Sequence, residues 1–269
     1  MAMMAEASVV CSIGCVRGNN EDNFCFLGDY LLPNEVNDGA HIVHVTSDAC
    51  QLYAILDGVG GADSGECASG MAAKALNVCQ SQIFADPEKE IEKFADRVSR
   101  QIYQEGIRLK ARNMGTTMAI LCLKNSWILA ANVGDSRVYR FRNRQLELLT
   151  KDHSYVYQLY LANKLTLEQA RKHRMNNVIT RYLGMDPEKM PSPFAYELSS
   201  DVRSGDRFML CSDGVSDLLS HEELQKIMGR PHTADQTAME LVSLSLELGG
   251  KDNTTCIVLD VKDNEETVR

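Results

Sequence analysis

Short apolar runs open the chain at residues 8–13, 23–27, 41–46 and 52–56. Runs of five or six residues suit strands better than helices. Asn37-Asp38-Gly39 supplies a turn before the third run. The pattern then turns helical. Residues 64–83 carry helix-forming Ala, Met, Lys and Leu at 71–76, and Asp86-Pro87 predicts an N-cap followed by proline at the first helical position. A charged amphipathic helix is predicted over 88–110. Strand-like runs return at 117–123, Trp127–Val133, 137–141 and 145–149. A helical excursion comes next over 154–177, with Thr166-x-x-Gln169 as its capping box. Strands are predicted at 194–198, Arg207–Cys211 and 254–261, and helices at 220–228 and 233–248. Ser220-x-x-Glu223 caps the first of those helices, and the tail from Lys262 is charged and expected to fray. Strands come in runs and helices in pairs, so an α+β layered fold is expected rather than a doubly wound sheet. One domain over 8–262 is expected, carrying a helical insertion at about 154–192 and a tail at 263–269.

Composition narrows the partners. Of 269 residues, 44% are hydrophobic and 24% charged, as in ordinary globular chains. No apolar run approaches the roughly 18 residues of a membrane span, so no membrane role is expected. Residues 1–7 lack a basic start and already carry Glu6, so no secretory signal is read there. The nine cysteines contain no Cys-x-x-Cys pair, and Cys11, Cys25, Cys122, Cys211 and Cys256 lie in apolar runs. That pattern fits reduced, buried thiols and a cytoplasmic location. The net charge of −9, from 28 basic and 37 acidic residues, argues against nucleic acid. Acidity also arises where carboxylates hold metal.

Four aspartates share one local setting. Asp57, Asp135, Asp213 and Asp252 each stand at an edge of an apolar strand, beside Gly or Asn. Singly, each reads as a turn residue. Together they admit a second reading, in which strand ends gather several carboxylates at one rim and a cation offsets their repulsion. An all-oxygen set selects Mg²⁺ or Mn²⁺ over zinc, and Gly58 lets its own carbonyl approach an ion. Arg17, Glu21 and Asp22 come after the first strand, either as a salt-bridged surface loop or as a cationic grip on an anionic, phosphate-like substrate.

Three rival motifs fail. Gly60 to Glu66 sits where a phosphate-binding loop would be but lacks its lysine. Cys11 and Arg17 have the spacing of a cysteine-dependent phosphatase loop, yet the intervening residues continue an apolar strand, so the thiol reads as buried and inert. His41 and His44 have no Cys or third His near them in sequence and read as ordinary strand residues.

Taken in order, these motifs resemble the metal-dependent serine/threonine protein phosphatases of the type-2C (PPM) family, in their bacterial form. The resemblance covers about residues 8–261. It rests on Arg17-Gly-Asn-Asn-Glu-Asp22, Asp57-Gly-Val-Gly-Gly61 with Ser64-Gly-Glu-Cys-Ala-Ser69, and Gly115-Thr-Thr117. It continues through Ala131-Asn-Val-Gly-Asp-Ser-Arg-Val-Tyr-Arg140, Leu149-Thr-Lys-Asp-His-Ser154 and Asn177-Val-Ile-Thr-Arg-Tyr-Leu-Gly184. Ser212-Asp-Gly214 and Asp252-Asn253 complete it. The family implies two packed antiparallel sheets flanked by helices, an αββα sandwich, with the insertion as a flap subdomain. It implies hydrolysis of phosphoserine and phosphothreonine in proteins by two tight Mn²⁺ or Mg²⁺ ions that activate a bridging water, without a phosphoenzyme. Asp57 would bridge the ions, with the Gly58 carbonyl on the second, and Asp213 and Asp252 would complete the first. Glu21 would act through water with Asp22 close by, Asp135 with Asp213 would hold a third, weaker ion, and Arg17 would grip phosphate. Expected partners are phosphoproteins, including a Ser/Thr kinase and its targets, met by a monomer. Two departures stand out. Val59 occupies the place where some relatives carry a proposed proton-donating His, and the stretch 29–49 reads as an extra hairpin. A catalytically dead relative would have lost a metal ligand, and none of the matching positions is lost. A stress or sporulation phosphatase acting on one dedicated regulator is the other alternative.

Overall fold

The structure is a computed structural model that describes residues 3–59, 64–111, 113–166, 169, 173–189 and 196–263. The strands in chain order are β1 (Met3–Ser12), β2 (Asp22–Phe26), β3 (Ala40–Thr46), β4 (Cys50–Val59), β5 (Gly115–Thr116) and β6 (Met118–Lys124). They continue as β7 (Trp127–Val133), β8 (Arg137–Arg142), β9 (Gln145–Leu148), β10 (Tyr196–Asp201), β11 (Arg207–Cys211) and β12 (Thr254–Asp263). The helices are α1 (Gly65–Ala85), α2 (Pro87–Leu109), α3 (Tyr155–Leu161), α4 (Asp213–Ser216), α5 (His221–Met228) and α6 (Ala234–Glu247).

One antiparallel sheet runs β3-β1-β12-β11-β8-β9 and the other β10-β7-β6-β4-β2, with β5 pairing to the end of β4. The central strands read as continuous apolar runs because both faces are buried. In β11, Phe208 and Leu210 enter the core shared by the two sheets, while Met209 and Cys211 enter the layer beneath α5 and α6. The second sheet does the same with Tyr53 and Ile55 inward and Leu52 and Leu56 outward, against Leu76 of α1 and Ile91 and Phe94 of α2. The result is the four-layer helix–sheet–sheet–helix sandwich that the resemblance implied.

Several boundaries shift. β1 begins at Met3 and β12 runs to Asp263 because these residues pair with each other across the sheet, so Lys262 and Asp263 belong to a strand and not to a frayed tail. Residues 29–49 do not form an extra hairpin. β3 pairs with β1 instead and adds an edge strand to the first sheet. His41 and His44 fall on opposite faces of β3, one 2.6 Å from Asp235 and the other 2.8 Å from Asp29, and share no ligand. In the excursion after Ser154 the described residues form α3, which Ser154 caps, and are helical again at Gln169. Thr166 and Gln169 do exchange the two bonds of a capping box, at 2.8 and 3.2 Å, but residues 167–168 and 170–172 lie outside the described residues. Pro87 opens α2 as predicted, whereas the Asp86 side chain caps nothing. The strand predicted at 194–198 is found as β10, two residues later at its start, with 194 and 195 outside the described residues.

Candidate metal centre

The carboxylates come from strand ends of both sheets. Asp57 lies inside β4, not in a turn, because β5 extends the pairing to Gly58 and Val59. Its N–H donates to Thr117 Oγ1 at 3.0 Å, and its carbonyl accepts from the Thr117 N–H at 2.8 Å and the Thr116 hydroxyl at 3.0 Å. Gly58 is wedged: a Cβ there would stand 2.6 Å from the Gly65 backbone and 2.7 Å from the Glu21 carbonyl. Only glycine fits, and its N–H holds Glu21 through that carbonyl at 3.1 Å.

Asp22 belongs to β2 and is the direct cross-strand partner of Asp57. It is fully buried. Its Oδ2 accepts from Ser212 Oγ at 2.9 Å and Thr255 Oγ1 at 2.6 Å, while Oδ1 has no partner. Ser212 sits at the N-cap of α4 but turns its hydroxyl to Asp22 rather than to the helix. Asp213 comes directly after it in the first turn. Asp252 precedes β12 and takes Arg17 Nη2 at 2.7 Å. The Asn253 side chain accepts the Glu21 N–H at 2.8 Å and donates to the Ile13 and Asn19 carbonyls, tying the Arg17–Glu21 loop to Asp252.

Asp135 occupies a buried turn after Gly134, whose φ of +103° and contact with Thr117 exclude a side chain. Its neighbour Arg137 binds Asp152 through two N–H groups, at 3.0 and 2.6 Å. Asp217, at the C-cap of α4, raises the affinity of both Asp135 and Asp213 for protons. His153 Nδ1 accepts the Gly134 N–H at 3.0 Å, and burial lowers its pKa to about 4, which keeps it an uncharged acceptor.

Burial first, and then mutual repulsion, hold protons on this group. Asp22 and Asp135 are pushed up to about 7, with Asp252 acting on the first and Asp152 on the second. Glu21, half-buried beside Glu66, is pushed up to about 7 as well. Asp57 and Asp213 are raised well above the usual carboxylate range, by burial first and then by charges, Asp213 foremost on Asp57 and Asp135 foremost on Asp213. Such a set costs folding energy unless cations offset it. The donors are oxygens, the orphaned Asp22 Oδ1 is buried, and the Gly58 cradle admits no Cβ, all of which fit a hard divalent ion. Among the described residues no three His, Cys, Asp or Glu side chains close on a single point. A fit therefore enlists the Gly58 carbonyl and water along with the carboxylates.

Thus Asp22, Asp57, Asp135, Asp213 and Asp252 gather in one cluster, with Glu21 acting on Asp22 directly and Arg17 joined to it by its bond to Asp252. Sequence reasoning missed the residues that hold these ligands: Ser212, Thr255, Thr117, Asn253 and His153. Thr117, Ser212, Asn253 and His153 lie inside matched motifs but had no role there, and Thr255 carried no signal. Cys11 is buried with its thiol pushed up to about 12, which removes the cysteine-phosphatase alternative.

A model described as Protein phosphatase 2C matches residues 33–242. The chain belongs to the protein phosphatase 2C family. As a member it is a metal-dependent serine/threonine protein phosphatase. The chain is 30% identical over 266 residues to Protein phosphatase PhpP of Streptococcus pneumoniae, covering 97% of this phosphatase and 98% of that one. It is similar to the serine/threonine phosphatase of S. agalactiae at a TM-score of 0.78 and 27% identity, over 96% of this chain and 100% of that one. A likeness at TM-score 0.75 and 26% identity, over 97% of this chain and 100% of the other, joins it to the catalytic domain of PstP in complex with two manganese ions. No described helix of the phosphatase is long and apolar enough to cross a membrane.

Proposed function

We propose that the phosphatase uses two divalent cations, Mn²⁺ or Mg²⁺, held by Asp57, the Gly58 carbonyl, Asp213 and Asp252, with Glu21 and Asp22 acting through water. A third, weaker cation belongs at Asp135 and Asp213. Cations there supply positive charge to a phosphoryl group and bring the pKa of a water toward neutrality. The observation that carries this reading is the mutually repelling set of buried Asp22 and Asp135 with half-buried Asp57 and Asp213, with an unpartnered oxygen on Asp22.

The chain's own groups then have separate tasks. Thr116 and Thr117 fix the Asp57 backbone, and Ser212 and Thr255 fix Asp22, so these carboxylates stay oriented as charge moves. Arg17 uses one N–H on Asp252 and has donors left for two phosphoryl oxygens. Val59 has no proton to give, so the acid for the leaving seryl or threonyl oxygen comes from the Asp135 side. No cysteine is required. The unit is one phosphatase domain, about 8–262, with the flap at about 154–192. It acts as a monomer in the cytoplasm on phosphoserine and phosphothreonine proteins, a Ser/Thr kinase and its targets among them.

The test is hydrolysis of phosphothreonine peptides with and without Mn²⁺. Activity should depend on the metal and vanish in chelator. Full turnover in chelator, lost instead on thiol alkylation, would return the chemistry to Cys11 and Arg17.

A further inference from the structure

The segment 29–39 follows β2 and folds back on the Arg17–Asp22 loop. Leu31 and Val36 drop into the core shared by the two sheets. Asn23 of β2 holds both ends of Leu31: its Oδ1 accepts the Leu31 N–H at 3.0 Å, and its Nδ2 donates to the Leu31 carbonyl at 3.0 Å. Residues Val36–Asp38 make one 3-10 turn. Gly39 ends it at a φ of +72°, where a Cβ would stand 2.5 Å from the Cys11 carbonyl of β1. Asn37 is thus fixed on both sides, by Val36 in the core and by Gly39 against β1.

The Asn37 residue is exposed, yet its Oδ1 accepts the Asn20 N–H at 2.8 Å. A backbone donor fixes which end of the amide faces it. The next two N–H groups are held likewise. Glu21 donates to Asn253 Oδ1 at 2.8 Å, and Asp22 to Asn20 Oδ1 at 3.2 Å. Asn20 is wholly buried, with its Nδ2 on the Val36 carbonyl at 2.7 Å and on Cys11 Sγ at 3.3 Å. Three successive donors at the entrance to β2 therefore end on three asparagine side chains, and one of these comes from the 29–39 segment. A partly buried donor without a partner is costly, so the backbone shifts when its acceptor is lost. The other half of the loop is anchored elsewhere. Asn19 Nδ2 donates to Glu66 Oε2 at 3.1 Å, and Arg17 holds Asp252 at 2.7 Å.

We infer that Asn37 is a positioning residue: with Asn20 it sets the backbone of Glu21 and Asp22, which makes the 29–39 segment part of the frame of the metal centre. This rests on the reading of Glu21 and Asp22 as carboxylates that act on a cation through water. Loss of the Asn37 acceptor loosens the carboxylate half of the loop and leaves the phosphate grip of Arg17 in place.

The test compares Asn37→Ala, which deletes the acceptor, with Asn37→Asp, which keeps an Oδ1 in its place. Glu21→Gln and Asp22→Asn serve as references. Mn²⁺ binding is followed by electron paramagnetic resonance of the free ion, together with thermal midpoints in chelator and with kcat and KM on p-nitrophenyl phosphate at saturating Mn²⁺. The references should weaken the tight class of Mn²⁺ sites. Asn37→Ala should weaken that class about ten-fold or more and lower kcat, as loss of a partner that orients a ligand does. KM should hold, because Arg17 keeps Asp252. Asn37→Asp should restore both Mn²⁺ affinity and kcat. Should Asn37→Ala fail to fold, Asn37→Ser, whose oxygen stops one bond short, replaces it with the same expectation. If both references leave Mn²⁺ binding and kcat unchanged, the reading of Glu21 and Asp22 falls and takes the role of Asn37 with it. If the references act while Asn37→Ala lowers only the thermal midpoint, or changes nothing, the role of Asn37 alone is overturned. Tighter Mn²⁺ binding in Asn37→Asp without a loss in Asn37→Ala overturns it too, since the added charge and not the acceptor would then matter.

Discussion

Asp22 and Asp57 face each other as direct partners across β2 and β4, Asp22 buried and Asp57 half-buried, with the hydroxyls of Ser212 and Thr255 on one oxygen of Asp22. Like charges directly opposite on neighbouring strands destabilise a sheet. A fold that keeps this pair is set up to take up positive charge there. That relationship, more than any single motif, gives the predictions their direction.

Asp57→Asn should abolish phosphopeptide turnover, by at least about 10²–10³-fold, as losses of preorganised charge in an active site do. The same change removes one of the repelling carboxylates, so the thermal midpoint in chelator should rise. Wild-type turnover at matched Mn²⁺ would mean that the cluster has been misassigned.

The pH dependence of the metal-free protein has a definite sign. Glu21, Asp22 and Asp135 are pushed up to about 7 when folded, against ordinary values of about 4. Their contribution to stability is complete below the unfolded values and is lost as pH rises through the folded ones. In chelator the thermal midpoint should therefore fall between about pH 5 and about pH 8, and Mn²⁺ should flatten that fall. A midpoint in chelator that rises across this window refutes the assignment of these three carboxyl groups.

Arg17→Ala should raise KM for a phosphate ester about ten-fold, the scale of one hydrogen bond to a charged group. The change in kcat should be smaller, since a guanidinium on ground-state phosphate contributes mostly uniform binding. An unchanged KM places Arg17 outside the site and leaves it as a partner of Asp252 alone.

Asp135→Asn should lower kcat on phosphopeptides while sparing p-nitrophenyl phosphate, whose leaving group needs little protonation. Equal losses on both substrates defeat the acid role. No loss on either returns Asp135 to a simple turn.

Arg137→Met should cost about 3 kcal/mol or more in urea unfolding, because Asp152 would be left buried without its cation. Adding Asp152→Asn should recover most of that loss. Additive costs in the double variant would show that the pair does not interact.

The sequence was most legible where local chemistry decides. Trp127–Val133 and Arg207–Cys211 are found with the predicted limits, because polar turns bound continuous apolar runs. The Ser220–Glu223 capping box forms as read. Failures track distance along the chain. Met3 enters a strand because Asp263 pairs with it, and nothing near either residue signals that. The carboxylates could be picked out by their setting beside Gly or Asn. Thr255 could not, since a hydroxyl in an apolar strand looks like ordinary strand composition. Ser212, though inside a matched motif, reads as a turn residue before Asp213 until Asp22 is brought against both. His153 was quoted within a motif, but its link to Gly134 exists only once β7, β8 and the flap stem are packed together.

β12 lies between β1 and β11 in the middle of its sheet, and the loop before it supplies Asp252 to Arg17, 235 residues earlier. During translation at about 5–20 residues per second, that separation takes on the order of 10–50 s to synthesise. Throughout that interval β1 lacks its central neighbour, and Asp22 lacks the Thr255 hydroxyl. On the proposed role of Asp252, a nascent chain should have no partly active form, and dephosphorylation should begin only when β12 closes the sheet. A chain cut short before Asp252 should show no turnover on a phosphothreonine peptide.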